Sequence, residues 1–120
     1  MSKKKNKLCI GRFYQLFNGP AHPSKIYFYD KKHKTYLSIK FGTTKGKHMS
    51  RIQSLEKGKT NEQYVLNRPI EGVRSDYGDK QLKGLEINEM DFELVERIKL
   101  KKPQKTRKAS LRYKKMPSNH

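Results

Sequence analysis

Two short runs of alternating apolar and polar side chains, residues 25–29 and 35–41, constrain the fold of this chain more than any other feature. A period of two is typical of a β-strand with one buried face, so each run predicts a strand. Residues 31–34 between them predict a turn, and the two strands are therefore expected to form a hairpin. Its apolar face is expected to carry Ile26, Phe28, Leu37, Ile39 and Phe41. Its opposite face is expected to carry Lys25, Tyr27, Tyr29, Tyr36, Ser38 and Lys40.

Further strands are predicted on both sides of this hairpin. Residues 12–17 are rich in aromatic and apolar side chains and end at the turn sequence 18–20. A strand is also expected near 62–66, with Pro69 placing its end near Arg68. Loops are expected at 42–48, 53–61 and 75–79, the second of them long and disordered.

One helix is predicted late in the chain, over residues 89–98. Asn88 is a suitable N-cap, and the first turn is acidic while the last contains Arg97, as the helix dipole favours. Met90, Leu94 and Ile98 are its expected buried stripe. The fold class is therefore mainly β (α+β), a small barrel-like sheet with one short C-terminal helix.

The basic residues lie unevenly along the chain. The 120 residues have a formal net charge of +18. Residues 1–7 and 97–120 contain no acid, and neither does the stretch 31–51, whereas 71–96 is rich in acids. We therefore expect a basic N-terminal arm (1–7), one compact domain (8–98) and a flexible basic tail (99–120), because like charges repel and Pro103 stops a helix. The acidic stretch is expected to face water or the basic tail.

Such a charge favours a polyanionic partner, and nucleic acid, RNA before DNA, is the expected one. No apolar run reaches the length of a membrane span, and the single cysteine, Cys9, permits no internal disulfide, so a cytoplasmic location is expected. No cofactor or metal is expected, because His22, His33, His48 and His120 lack ligand spacing and 42–46 lacks the spacing of a nucleotide-binding loop. The expected nucleic-acid contacts are Lys25, Tyr27, Tyr29, Tyr36, Lys40, Lys45, Lys47, His48, Arg51, Arg74, Lys101, Lys102, Lys105, Arg107 and Lys108.

The order of segments resembles that of MazF/PemK-type endoribonuclease toxins over roughly residues 10–98. The shared plan is a strand with Gly11 and Tyr14 near its start, a loop reaching Pro23, a hairpin, and a strand ending at Thr43 and Thr44. The segments 64–66 and 84–87 stand where that family has its next strands. The resemblance implies an SH3-like barrel, a homodimer, an acidic antitoxin-like partner and metal-independent cleavage of single-stranded RNA.

In that family an Arg before the Pro and a Thr at the strand end carry the chemistry. Here the Thr corresponds to Thr43 or Thr44, while His22 stands in the place of the Arg. An imidazole can act as an acid or base but cannot make bidentate contacts with a phosphate. Two hypotheses therefore follow. The first is a non-enzymatic nucleic-acid-binding protein from a phage or mobile element, and it includes a ribosome-associated protein. The second is a toxin-like endoribonuclease that uses His22, Thr43 or Thr44 and a nearby Arg such as Arg12 or Arg74.

Overall fold

The computed structural model describes residues 6–115, which form a mainly β structure with two short α-helices. Its strands are β1 (Phe13–Phe17), β2 (Ala21–Asp30), β3 (Thr35–Gly42), β4 (Met49–Ile52), β5 (Gln63–Leu66), β6 (Ile70–Gly72), β7 (Tyr77–Leu82) and β8 (Gln104–Lys105). Its α-helices are α1 (Phe92–Lys99) and α2 (Arg107–Lys115), and single 3-10 turns cover Arg74–Asp76 and Glu89–Asp91. The prediction of a mainly β fold is confirmed.

The sheet is an open path with the order β4-β5-β3-β2-β1-β7, and its neighbours are antiparallel. Strand β6 adds to the free edge of β3 and pairs in parallel with β8. Because β4 and β7 end the path without pairing to each other, the sheet is not closed into a barrel within residues 6–115. Strand β3 is central, with β2 along one edge and both β5 and β6 along the other.

The hairpin of β2 and β3 is confirmed, but a β-bulge changes the alternation that the sequence predicts. Ile26 is opposite Ser38 while Phe28 is opposite Leu37, so Tyr27 is the extra residue of β2. A bulge re-aims the side chains that follow it. Phe28 is consequently 52% exposed instead of buried, and Tyr27 packs against the core instead of facing solvent.

The core consists of two clusters, and β3 contributes to both. One cluster contains Phe13, Ile39, Phe41, Ile52, Leu55, Val65, Ile87, Val95 and Ile98. The other contains Leu8, Tyr14, Leu16, Ile26, Tyr36, Ile70 and Tyr77. Tyr36, which the sequence predicts to be on a solvent-facing surface, is only 3% exposed.

The predicted helix lies in the right place, but its start differs. The Asn88 side chain accepts a 2.9 Å hydrogen bond from the Met90 N–H, and a 3-10 turn precedes α1. Val95 and Ile98 are buried, whereas Met90 is 75% exposed. The prediction that Met90 is buried is wrong, because it lies in the 3-10 turn and not in the helical repeat.

Three other segments differ from the sequence predictions. Strand β4 was not predicted, and β7 begins at Tyr77 inside the expected loop 75–79. The 53–61 segment is irregular but not disordered, because Leu55 is 1% exposed and Glu56 bridges to Leu85.

The prediction of a flexible tail from residue 99 is wrong for residues 104–115, which form β8 and α2 and pack on the domain. Thr106 and Ala109 are buried there, and Tyr113 is half-buried. These residues lie three and four positions apart, so they give the basic helix one packing face. Residues 1–5 of the expected N-terminal arm and 116–120 of the tail lie outside the described residues.

Candidate nucleic-acid interface

Most carboxylates in the described part of the chain are engaged with neighbouring groups. The buried ones, Glu71, Asp76 and Asp91, each accept hydrogen bonds from the protein. Exposed carboxylates form ion pairs with N···O distances of 2.6 to 3.9 Å in Lys99–Glu96, Arg97–Glu93, Arg74–Asp79, Lys59–Glu56 and Arg51–Glu62. Few carboxylates therefore remain to neutralise the lysines of the 31–51 stretch.

Five of the six lysines of that stretch lie at the two ends of β3, and the sixth, Lys40, lies within it. Lys31, Lys32 and Lys34 belong to the turn before β3, and Lys45 and Lys47 belong to the basic loop, residues 43–48, after it. All five are exposed, and none forms an ion pair within residues 6–115. An eight-residue strand is about 26 Å long at 3.3 Å per residue, so two separate cationic regions result.

The first region includes a small pocket beside the β2–β3 turn, here named the hairpin pocket. Its volume is about 190 Å³, and it is lined by Asn6, Lys7, Tyr29, Lys34, Tyr36, Arg74 and Arg112. None of these side chains is acidic. The four cations come from four separate segments: the N-terminal segment, the hairpin turn, the 3-10 turn before β7, and α2.

Aromatic rings form one wall of the hairpin pocket. The ring centroids of Tyr29 and Tyr36 are 4.7 Å apart, and the Lys7 Nζ atom lies 5.7 Å from the Tyr29 centroid. The Tyr36 hydroxyl accepts a hydrogen bond from the Leu8 N–H at 3.2 Å, which fixes the N-terminal segment against the sheet. Tyr29 is half-buried: it packs against the core cluster that contains Tyr36, and the rest of its ring lies beside the cations.

Arg74 holds the segments of the pocket together. Its guanidinium donates hydrogen bonds to the backbone carbonyls of Asn6, Tyr77 and Gly78, and it pairs with Asp79 at 3.8 Å. Arg74 was expected to contact nucleic acid directly, but most of its donors already have protein partners. It therefore contributes positive charge and positions its neighbours.

The second region is the basic loop, residues 43–48. Thr43, Thr44, Lys45, Lys47 and His48 are all exposed there, and His48 has a left-handed backbone with φ 64°.

His22 of β2 lies beside the start of this loop. Its Nδ1 atom is 3.5 Å from the position that a Cβ on Gly42 would occupy, so the ring packs against the residue immediately before Thr43. Partial burial, together with the charge of Lys40, lowers the pKa of His22 below its usual range. The neutral imidazole, which can accept a proton, is therefore favoured near pH 7.

The expected aromatic and cationic face of the hairpin is not assembled as one surface. Tyr27 packs under α1, where its hydroxyl donates a 3.4 Å hydrogen bond to the Lys99 carbonyl and burial raises its pKa to about 12. Lys25 and Lys40 are half-buried, and burial lowers the pKa of both. With Tyr36 in the core, only Tyr29 of the three predicted tyrosines stands partly exposed beside free cations.

The remaining predicted contacts are distributed over the surface. Arg51 of β4 faces solvent and pairs with Glu62 at 3.9 Å. Lys101, Lys102 and Arg107 are exposed, while the Lys108 amine donates to the Ser75 hydroxyl at 3.1 Å. The Lys105 amine lies 4.5 Å from the centroid of the Tyr113 ring.

Sequence reasoning missed Lys7, Lys34 and Arg112 as members of one site. Lys34 stood out only as part of an acid-free stretch, and its left-handed backbone (φ 56°) is a feature of the turn itself. The other two reach the pocket only because the N-terminal segment and α2 dock on the same side of the hairpin. No local sequence pattern indicates that meeting.

The described residues contain no group of three or more His, Cys, Asp or Glu side chains arranged to hold a metal ion. None of the helices between residues 6 and 115 is long and apolar enough to cross a membrane. Comparisons with protein-family models, with curated proteins and with solved structures find no match.

Proposed function

We propose that this protein binds nucleic acid, RNA in preference to DNA, through the two cationic regions at the ends of β3. The observation that supports the proposal is the group of exposed lysines at 31–34 and 45–47 that have no carboxylate partner within residues 6–115, while most acids are engaged elsewhere. Such lysines bind phosphates and release counterions. The accessible part of the half-buried Tyr29 ring favours a single strand, whose unpaired bases can stack on it.

The spacing of the two regions sets the size of the expected ligand. About 26 Å separates the ends of β3, and phosphates of one strand in a duplex follow each other at about 3.4 Å along the axis. A strand that contacts both regions therefore covers about eight nucleotides in a stacked conformation, and fewer if it is extended. Oligonucleotides shorter than this are expected to bind distinctly more weakly.

The test is a titration of labelled single-stranded RNA with the full-length protein across a series of salt concentrations. We expect log K to fall with log salt by about 0.7 for each phosphate neutralised. The variant K45Q/K47Q is expected to weaken binding and flatten the slope by more than one unit, because it removes two phosphate contacts. The matched control is K80Q/K83Q, which removes two exposed lysines at the β7 side of the sheet. A salt-independent affinity, or equal losses in both double variants, would contradict the proposal.

A second candidate function is metal-independent cleavage of RNA, favoured by the position of His22 beside Gly42 and by its lowered pKa. In this proposal His22 takes the proton of the 2′-hydroxyl, and the 2′-oxygen attacks the adjacent phosphorus while the bond from phosphorus to the 5′-oxygen breaks. The products are a 2′,3′-cyclic phosphate and a 5′-hydroxyl that takes its proton from water. Thr43 or Thr44 donates to an oxygen of the five-coordinate phosphorus, and Lys45 or Lys47 offsets the negative charge that develops on those oxygens. The SH3-like barrel, the homodimer and the acidic antitoxin-like partner that the toxin resemblance implies belong to this proposal. The cytoplasmic location belongs to both proposals.

The cleavage proposal is tested on mixed single-stranded RNA in the presence of a chelator. Wild-type protein is expected to cut, and H22A and T44A are expected to cut more slowly while keeping RNA affinity. The absence of cleavage by wild type, or unchanged rates in both variants, would leave only the binding function.

A further inference from the structure

We infer that the hairpin pocket binds the terminal phosphate of a nucleic-acid strand. This inference rests on the proposed nucleic-acid binding and adds a chemical preference to it: a strand whose end carries a phosphomonoester is favoured over the same strand ending in a hydroxyl. The basic loop at the other end of β3 then contacts internal phosphodiesters of the same strand.

The charge of the hairpin pocket matches that of a terminal phosphate. Lys7, Lys34, Arg74 and Arg112 surround about 190 Å³ without a carboxylate in the lining. An internal phosphodiester carries one negative charge, whereas a phosphomonoester carries about 1.5 to 2 near pH 7 and offers three acceptor oxygens. A site with several cations around one small volume therefore discriminates in favour of the terminal group.

The hairpin pocket also has hydrogen-bond donors that remain available for a phosphate. Most N–H groups of Arg74 donate hydrogen bonds to backbone carbonyls, and its guanidinium pairs with Asp79, so Arg74 supplies mainly positive charge to the pocket. Arg112 uses one Nη1 donor, at 3.5 Å, on the His33 carbonyl, which leaves further guanidinium donors for a bidentate phosphate contact. The amines of Lys7 and Lys34 form no ion pair within the described residues. Three side chains can thus donate to one phosphate.

The size and the lining of the hairpin pocket suit the end of a strand. The pocket is smaller than the roughly 300 to 1,000 Å³ of sites that enclose drug-sized ligands, so it suits a compact group at the end of a longer molecule. The half-buried ring of Tyr29 forms part of its wall, where the terminal base or sugar can pack against the accessible part of the ring. A duplex continuing past the pocket on both sides lacks this fit.

The test compares one RNA sequence of about ten nucleotides in three forms: with a 5′-phosphate, with a 3′-phosphate, and with hydroxyls at both ends. Affinity is measured by fluorescence anisotropy with an internal label on the full-length protein. We expect one phosphorylated form to bind about tenfold more tightly than the hydroxyl form, as suits a gain of charge-assisted hydrogen bonds.

Two sets of variants locate the effect. In K34Q and in R112Q, the ratio of the affinity for the phosphorylated RNA to the affinity for the hydroxyl form is expected to fall close to one. K45Q is expected to weaken all three RNAs while leaving that ratio unchanged, because Lys45 lies in the basic loop. Melting curves check that R112Q, which removes the contact with the His33 carbonyl, is still folded at the assay temperature.

The outcomes separate the inference from the proposed function. Equal affinity for all three RNAs, or a preference that survives in K34Q and R112Q, overturns the terminal-phosphate site and leaves nucleic-acid binding standing. Failure of every RNA to bind overturns both. Uridine monophosphate and inorganic phosphate serve as competitors. If either binds as tightly as the phosphorylated RNA, the pocket binds free phosphate groups, and the inference that its ligand is the end of a nucleic-acid strand is overturned.

Discussion

The hydroxyl of Tyr113 donates a 2.6 Å hydrogen bond to Oε2 of Glu71 and thereby joins helix α2 to strand β6. The same oxygen accepts a 2.6 Å hydrogen bond from the Thr35 hydroxyl, so a buried carboxylate links β3, β6 and α2. Burial, followed by this bond and the charge of Glu71, raises the pKa of Tyr113. The Tyr113 ring also stacks on His33 with centroids 3.8 Å apart. Helix α2 is therefore part of the folded domain although its sequence is strongly basic.

Replacing Tyr113 by Phe tests this relationship. The variant keeps the ring and its stacking but removes one donor from a buried carboxylate, which is expected to lower the free energy of unfolding by about 1 to 3 kcal/mol. Urea denaturation followed by circular dichroism measures the loss. The control is L111A on the exposed side of the same helix, where Leu111 is 45% exposed. Equal stability of Y113F and wild type would show that the bond contributes nothing to docking.

The sequence predicts those structural elements correctly that depend on residues close together along the chain. The strand over 35–41, the turn at 31–34 and the capping side chain of Asn88 all appear as predicted, because each is determined within a few positions. The expected polar face of that strand does not appear, because Tyr36 and Ser38 are both buried. The bulge at Tyr27 could not be predicted in the same way. A period of two assumes an uninterrupted ladder, and one extra residue moves the following side chains to the other face.

Local sequence patterns could not predict which residues are buried by segments that are distant along the chain. Tyr36 is buried because Leu8 and Tyr77, far from it along the chain, cover it. Helix α2 was missed because charge repulsion suggested disorder, whereas Thr106 and Tyr113 bind two buried carboxylates of the acidic stretch. That stretch was expected to face water or the basic tail, and these contacts agree with the second alternative. The hairpin pocket has the same origin, since four separate segments form it.

Gly72 marks a place where the polar core leaves no space for a side chain. A Cβ there would lie 3.0 Å from Asp76 Oδ2 and 3.1 Å from Tyr77 Cε2. Neither atom can move easily, because Oδ2 is held by Thr106 at 2.6 Å and the Tyr77 hydroxyl by Ser38 at 2.8 Å. G72A is therefore expected to lower the free energy of unfolding by about 1 to 3 kcal/mol.

The matched control for G72A is G78A. A Cβ on Gly78 meets its nearest atom, Gln15 Cβ, at 3.5 Å, which is an ordinary contact. Both changes reduce the freedom of the unfolded chain equally, by about 0.4 to 1 kcal/mol, so their difference reports the folded state. If urea denaturation finds both variants equally stable, the crowding at Gly72 is relieved by small shifts.

The lowered pKa of His22 predicts a pH effect of defined sign. Because the folded protein takes up this proton at lower pH than the unfolded chain, stability is lost as the pH falls below about 6.5. NMR titration of the imidazole is expected to give a midpoint below 6.5. In K40Q the midpoint is expected to rise only part of the way back, since burial is the larger cause and the charge of Lys40 the smaller. K80Q, remote on β7, is the control, and an unchanged midpoint in K40Q would show that Lys40 does not act on His22.

Helix α2 offers a last prediction that separates its structural role from its charge. Deleting residues 107–120 removes the Tyr113–Glu71 bond and exposes the surface that Ala109 covers, so we expect a clear fall in melting temperature. Deleting residues 116–120 alone leaves in place the contacts of α2 with the domain and is the matched control. The substitutions R107Q and K114Q, both at exposed positions, remove charge without touching the docking face.

The double variant R107Q/K114Q is accordingly expected to melt like wild type but to bind RNA more weakly and with a flatter salt dependence. The deletion of 107–120 is expected to lose both stability and affinity, because it removes the docking face together with Arg112 of the hairpin pocket. A deletion variant with an unchanged melting temperature would show that α2 is a dispensable arm after all. Unchanged RNA affinity in the double variant would instead show that the charges of Arg107 and Lys114 have no part in binding, so that any binding role of α2 would rest on its other residues, Arg112 among them.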